Sequence, residues 1–280
     1  MNRNVIISTN YNPLYVQFVP LVCSVWKKWG FKVHLVLITD DDESVWGWMR
    51  QFANIIHEKR HPNIYEGIWS KVARIIHYMD FGDEVVMVSD VDMIPLSFEY
   101  FDDLFYKSTT YPDKLVLSSY DAYLGKNQFN DTIHHKYPGC YMLATSNIWK
   151  EIINPKDLSI GDLLETWKGK HDFDDKEDIL NNNVDFSEES LIRRIVAEWD
   201  SRKERIIKMK RGWINNNMAI NRIDRSNWYI DMKKLNKHKY IDCHSIRPLQ
   251  SNEDKIKPLL EYLEIDTNLI ELGVEMNKLK

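Results

Sequence analysis

Apolar and polar positions alternate in blocks along the first ninety residues, and the blocks have recognisable periods. "NVIIST", residues 4–9, is a short apolar run ending in polar residues and predicts a strand. In "NPLYVQFVPLVCSVWKKWG" the residues Leu14, Phe18, Leu21, Val22 and Val25 recur at helical spacing. Gly30 is a plausible helix stop, and Pro20 leaves a kink or a late start open. "FKVHLVLITDDD" predicts a second strand, and "ESVWGWMRQFANIIH" a second helix weakened by Gly47. "EGIWSKVARIIHYMD" predicts a third helix, "FGDE" a turn, and "VVMVS" a third strand without polar alternation. Continuous apolar strands of this kind sit inside parallel sheets covered on both faces. Strand and helix in strict alternation predict an α/β fold with a doubly wound, mostly parallel central sheet flanked by helices.

The second half is less regular. "KLVLSSY" and "PGCYMLATS" read as strands, the latter leading into a helix at "NIWKEII". Residues 168–184 are charged and polar and read as a surface loop or insertion. "SEESLIRRIVAEW" predicts a helix with Ser187 as its N-cap, while "RIIKMK", "NWYIDM" and "KYIDCHS" are short extended candidates. The tail predicts one or two amphipathic helices. The expected organisation is one domain over residues 1–250, with a C-terminal helical extension, 251–280, packed on it.

Composition narrows the function classes. Of 280 residues 44% are apolar and 12% aromatic, enough for a sizeable core, and ten Trp and fourteen Tyr suit either that core or a sugar- or nucleotide-binding cleft. A net charge of −5 argues against a general nucleic-acid binder. Three scattered cysteines, Cys23, Cys140 and Cys243, make a disulfide framework a poor fit and suit a reducing compartment. The apolar run near the N-terminus is too short for a signal sequence, and no stretch approaches the ~20 apolar residues of a membrane span. The chain reads as soluble and cytoplasmic.

The candidate chemistry lies where strands end, because ligands of doubly wound sheets bind outside the carboxyl ends of the strands. Thr9–Asn10, Asp40 to Asp42, and Asp90 with Asp92 all fall there. "VVMVSDVDMIPL" ends a buried strand in two aspartates one residue apart and then turns at Pro95. Carboxylates two apart on extended backbone face the same way and can share one cation. Their oxygens suit Mg²⁺ or Mn²⁺, ions that commonly carry a bound diphosphate. Capping or turn chemistry is the competing reading, and Asp-x-Asp recurs at Asp40/Asp42 and Asp172/Asp174.

In sequence and placement "VSDVDMIPL" resembles the DxD element of GT-A fold nucleotide-sugar glycosyltransferases. "PGCYMLAT" resembles a later strand of that family, "FSEESL" the acidic helix start near its sugar site, and "YIDCHSIRP" the late histidine segment of the glycogenin-like branch. A vaguer resemblance links the chain to glycosyltransferases of large DNA viruses. The resemblance covers residues 4–248 and implies a metal-dependent transfer from a UDP-sugar to a glycan or protein-linked acceptor. Residue by residue it implies Asp90 on ribose and metal, Asp92 on the metal, and His244 as third ligand, the imidazole favouring Mn²⁺ over Mg²⁺. Arg247 would meet phosphate, and Thr9, Asn10 and Tyr11 would cradle the base. Lys71 and Arg74 share a helix face, with Lys71 the preferred phosphate contact and Arg74 the more solvated. Glu189, then Glu188, then Asp121 are candidate bases. Two departures keep a retaining outcome from being carried over: "SEES" stands where the family has Asp-Gln-Asp, and no tryptophan follows the late proline. A sugar-phosphate nucleotidyltransferase is the alternative enzyme class, but "STNYNPLY" lacks that class's glycine-rich basic loop. A non-catalytic nucleotide- or glycan-binding protein is the third reading.

Overall fold

The computed structural model describes residues 2–121, 124–126, 132–134, 137–171, 188–200, 204–214 and 218–276. Strand β1 (Asn4–Asn10) is buried along nearly its whole length. The helical segment after it breaks in two, α1 (Pro13–Val16) and α2 (Val19–Lys28). Pro20 sits in the first turn of α2, where its missing N–H costs nothing, so the late start is the outcome at this proline. Gly30, at φ 78, ends the segment in a left-handed conformation and feeds β2 (Lys32–Ile38).

The second expected helix is much shorter than its apolar content suggests. Only α3 (Glu43–Trp46) and a 3₁₀ turn from Gly47 to Gln51 form. "NIIHE" then becomes strand β3 (Asn54–Glu58), which pairs in parallel with β2. β3 lies at the sheet edge and is only half-buried, so its apolar run was short enough to merge with the helical pattern before it. Helix α4 (Glu66–His77) follows, then β4 (Val85–Val88) and β5 (Met93–Pro95). Helix α5 (Phe98–Thr110), capped by Ser97, leads to β6 (Leu115–Leu117). A small antiparallel pair, β7 (Leu124–Lys126) and β8 (Thr132–His134), precedes β9 (Met142–Thr145) and α6 (Ser146–Ile153). Helices α7 (Ile160–His171) and α8 (Glu188–Trp199) follow, so the helical reading of 187–199 is met apart from its cap. Residues 168–171, expected as loop, are the last turn of α7; the rest of the 168–184 segment and the Ser187 cap lie outside the described residues.

The remaining elements are short: β10 (Ile206–Lys208), β11 (Trp213–Ile214), β12 (Met218–Ala219), β13 (Arg222–Asp224), α9 (Met232–Leu235) and β14 (Asp242–His244). "NWYIDM" forms no strand: a 3₁₀ turn, Arg225–Asn227, ends on its first residue, and Asp231 caps α9 at its end. Helices α10 (Glu253–Tyr262) and α11 (Asn268–Met276) close the described chain. Ile256, Leu259, Leu260, Ile270 and Val274 join the core cluster that also holds Val5, Leu21 and Trp26. The α11 backbone comes so near the end of α1 that a Cβ at Gly273 would meet the Gln17 carbonyl oxygen.

Seven strands form the central sheet in the order β10-β6-β9-β4-β1-β2-β3. Strand β9 alone runs antiparallel, against both β4 and β6, and every other pairing in this sheet is parallel. Apolar clusters cover both faces, one built on α2 and α5, the other on α4, α6 and α8. A second sheet, β13-β14-β5, is set off from it. There β14 is antiparallel to β5 and parallel to β13. Because β5 directly follows Asp90 and Asp92, this small sheet carries the end of the chain to the carboxyl edge of the large one.

Candidate active site

Strands β1, β2 and β4 run in parallel, so Thr9–Tyr11, Thr39–Asp42 and Ser89–Asp92 share one edge. The Ser89 N–H donates to the Ile6 carbonyl at 3.0 Å, which carries the β4 ladder up to Asp90. Asp90 and Asp92 then find different partners. Arg74 of α4 donates through Nη1 to Asp90 Oδ1 at 2.6 Å and to the Ser89 carbonyl at 2.9 Å. Its side chain is 2% exposed. This corrects the reading of α4 from its sequence: Arg74, expected on the solvated face, reaches the carboxylate, whereas Lys71 stands exposed on the helix surface. The sheet lies on one side of α4 and α8 on another, so the helix has less free surface than a single apolar stripe implies.

Asp92 is buried, and its Oδ2 is the centre of a cationic group. Arg225 Nη1 lies 2.9 Å away, His244 Nε2 3.6 Å and Arg247 Nε 3.6 Å. The strand pairing explains how His244 arrives 152 positions after Asp92: it stands opposite Met93 in the β5/β14 register, and the Ser245 N–H donates to the Asp92 carbonyl at 2.9 Å. Arg247 is stacked 4.3 Å from the centre of the Tyr15 ring, a cation–π contact that fixes its guanidinium toward the site. Burial alone would raise the Asp92 pKa, but the hydrogen bond and charge of His244, then Arg225 and Arg247, hold it below the usual carboxylate range.

The parallel pair β13/β14 adds a ladder of charge on one face. Arg222 stands opposite Asp242, and Asp224 opposite His244. Asp242 is fully buried and accepts from Arg222 Nε at 2.8 Å, from Arg222 Nη2 at 2.9 Å and from Arg211 Nη2. Asp224 Oδ2 faces His244 Nδ1 at 3.4 Å. Its Oδ1 accepts from the Ser226 N–H at 2.9 Å and the Ser226 hydroxyl at 2.5 Å. Burial works against the charged forms of both groups. Hydrogen bonds from His244 and Ser226 nonetheless take Asp224 far down, and those to Asp224 and Asp92 push His244 up. Neither Asp224 nor Arg225 belongs to a motif. The polar–apolar–polar alternation of "RID" is the one signal, and it shows only that Arg222 and Asp224 share a face.

Other expected site residues fall at the same edge with structural partners. Thr9 and Tyr11 are buried, Thr9 Oγ1 donating to the Asn10 carbonyl and Tyr11 Oη accepting from Trp48 Nε1 at 3.3 Å. Asp41 and Asp40 serve the turn after β2, Asp41 accepting from Thr39 Oγ1 and Asp40 from the Arg60 N–H. Asp121 accepts backbone N–H groups from Arg211 at 2.9 Å and Gly212 at 3.0 Å, and so anchors that loop. Glu188 is the first residue of α8. Glu189 Oε1 accepts from the Gly139 N–H at 3.0 Å, tying α8 to the segment that carries Cys140. Burial pushes the Cys140 thiol up, against the charge of Arg222 and with that of Asp90.

The donor set at Asp92 fits a divalent cation in its chemistry, with hard carboxylate oxygens and one imidazole nitrogen. In this conformation, among the described residues, no three His, Cys, Asp or Glu side chains are grouped to hold an ion. Arg225 instead takes the Asp92 oxygen. The three cysteines are all buried and free.

No family model matches the chain, and no curated protein matches it in sequence. Solved structures do resemble it. The glycosyltransferase GlyE of Streptococcus pneumoniae TIGR4 is 13% identical over 100% of this chain with a TM-score of 0.50. The chain spans 64% of GlyE's length. The galactosyltransferase LgtC, solved with donor and acceptor sugar analogues, is 10% identical over 93% of this chain and 95% of its own, with a TM-score of 0.52. No helix among the described residues is long and apolar enough to cross a membrane. At such low identity the likeness concerns architecture, and the architecture of this chain is the GT-A fold, a mostly parallel seven-stranded sheet flanked by helices.

Proposed function

We propose that the protein is a glycosyltransferase that moves a sugar, of hexose type, from a UDP-sugar to a glycan or protein-linked acceptor with the help of Mn²⁺ or Mg²⁺. The observation that carries this reading is the convergence on Asp92. A buried carboxylate at the carboxyl edge of the sheet meets His244, Arg225 and Arg247 from distant parts of the chain. So costly a desolvation suits a site for a charged ligand.

Asp90, Asp92 and His244 would hold the cation. When bound, it would act as a Lewis acid on the leaving diphosphate. The chain's own cations act in the same direction. Glycosyl transfer passes through an oxocarbenium-like state, as glycoside hydrolysis does, while negative charge grows on the diphosphate oxygens. Arg247, held on Tyr15, and Arg225 present planar guanidinium forks suited to phosphate oxygens. Arg247 is already fixed by the Tyr15 ring and so needs little reorganisation, whereas Arg225 would leave the Asp92 oxygen to a bound cation and turn to the phosphate. Arg74 neutralises Asp90 from below the sheet edge. Glu189 is the candidate base for the acceptor hydroxyl, held beside the Gly139–Cys140 segment. Thr9, Asn10 and Tyr11 line the edge at which the uracil would lie.

Nucleotide sugars supplied with Mn²⁺ test the reading, with release or transfer of the sugar as readout. UDP should bind more tightly with Mn²⁺ than with chelator in titration calorimetry. Equal affinity in both would remove the metal. Synthesis of a nucleotide sugar from a nucleoside triphosphate and a sugar phosphate would make the protein a nucleotidyltransferase. Binding without turnover of any donor would make it a non-catalytic binder.

A further inference from the structure

The His244 ring stands between two carboxylates on opposite sides. Its Nε2 faces Asp92 and its Nδ1 faces Asp224. The backbone fixes this arrangement, since His244 is paired with Asp224 across β13/β14 and with Met93 across β14/β5. Asp224 is itself immobilised: both bonds from Ser226 fall on Oδ1, which leaves Oδ2 for the imidazole. An ionised carboxylate only accepts hydrogen bonds, so Asp224 at Nδ1 and Asp92 at Nε2 compete for the proton of a neutral His244, and a cation on the Asp92 side leaves Nδ1 as its place. With the proton on Nδ1 the Nε2 lone pair points to the Asp92 side.

We propose that Asp224 is a positioning residue for the cation site: it holds His244 in the Nδ1–H tautomer and so presents the Nε2 lone pair to a divalent cation shared with Asp92. This rests on the metal reading of the proposed function. Histidines that ligate metals usually donate their other ring N–H to a carboxylate or carbonyl, and that partner orients the ring and strengthens the ligand. Asp224 also caps the 3₁₀ turn Arg225–Asn227, a purely structural task that the test must separate.

Asp224→Asn separates them. The amide oxygen keeps the Ser226 bonds and hence the cap, as asparagine is an equally good cap. The amide nitrogen then faces His244 as a donor, which forces Nδ1 to accept and puts the ring proton on Nε2. Mn²⁺ affinity, measured without nucleotide by the loss of the free-ion paramagnetic resonance signal, should fall about 10- to 100-fold. The metal-free melting temperature should stay within about 2 °C, since the cap survives. Long-range ¹⁵N spectra with Mg²⁺, a diamagnetic ion, should show Nδ1–H in the wild type and Nε2–H in the variant. Unchanged Mn²⁺ affinity in Asp224→Asn, or the same tautomer in both proteins, overturns the proposal. Wild-type protein that binds no Mn²⁺, or binds it equally well as Asp92→Asn, overturns the metal reading beneath it. In that event the proposal falls with it.

Discussion

Asp242→Asn is the sharpest test of how the fold holds its charged edge. The substitution keeps the shape of a fully buried side chain and removes its charge. It leaves two guanidiniums, Arg211 at 0% and Arg222 at 8% exposure, without the carboxylate that joins them. Arg211 has little else, because its Nε and Nη1 have no hydrogen-bond partner among the described residues. The face of Tyr141, 5.3 Å away, supplies a cation–π contact. Burial and then the like charge of Arg222 already pull the Arg211 pKa down. Removing one member of such a buried set costs about 3–5 kcal/mol. At ~2–4 °C per kcal/mol for a chain of this size class, the melting temperature should drop by roughly 10 °C. Calorimetry or urea unfolding measures it. Adding Arg211→Met to Asp242→Asn should recover a good part of the loss, since the orphaned charge goes with it. A drop below about 2 °C, or a double variant no better than the single one, would refute the view that Asp242 compensates both arginines.

Two further outcomes follow from the same geometry. Glu189→Gln retains an oxygen for the Gly139 N–H, so stability and UDP affinity should barely move, while turnover falls ~100-fold or more if the carboxylate takes the acceptor proton; near-normal transfer would return Glu189 to a structural role. At the end of α4, burial lowers the His77 pKa, but hydrogen bonds to Asp80 and Glu58 outweigh it and raise it from 6.5 to about 9. The sign follows from linkage: this stability is fully present below pH 6.5 and is lost as pH rises through about 9, by ~1–2 kcal/mol after allowing for the half-exposed Asp80. Urea midpoints at pH 6 and pH 10 measure it, and a His77→Ala variant that keeps the same pH difference would refute it.

What the sequence shows of this molecule depends on how far each element departs from a simple period. Strands β1 and β4 are buried nearly throughout, and their uninterrupted apolar runs are readable without any tertiary information. Strand β3 is an edge strand with one well-covered flank, so five residues of mixed character were absorbed by the helix pattern before them. Arg74 shows the same limit for helices. A period of 3.6 predicts one buried stripe, but α4 packs on the sheet and also on α8, so a charge that looks solvated is enclosed and must find a carboxylate. The site divides in the same way. Asp90 and Asp92 are legible because two carboxylates at the end of a buried strand are costly, and His244 because its segment follows them in the order of a known pattern. Asp224, Arg225, Arg211 and Arg222 carry no such mark. They belong to strands and turns of two or three residues, whose polar side chains acquire meaning only when β13 and β14 are laid beside β5. Long-range strand pairing, which no local window contains, converts an ordinary Arg-Ile-Asp-Arg into the carboxylate behind His244 and the cation on Asp92. Variants at these unmarked positions therefore probe the assembled edge more directly than variants at Asp90 and Asp92, whose loss is explained equally well by any acidic site.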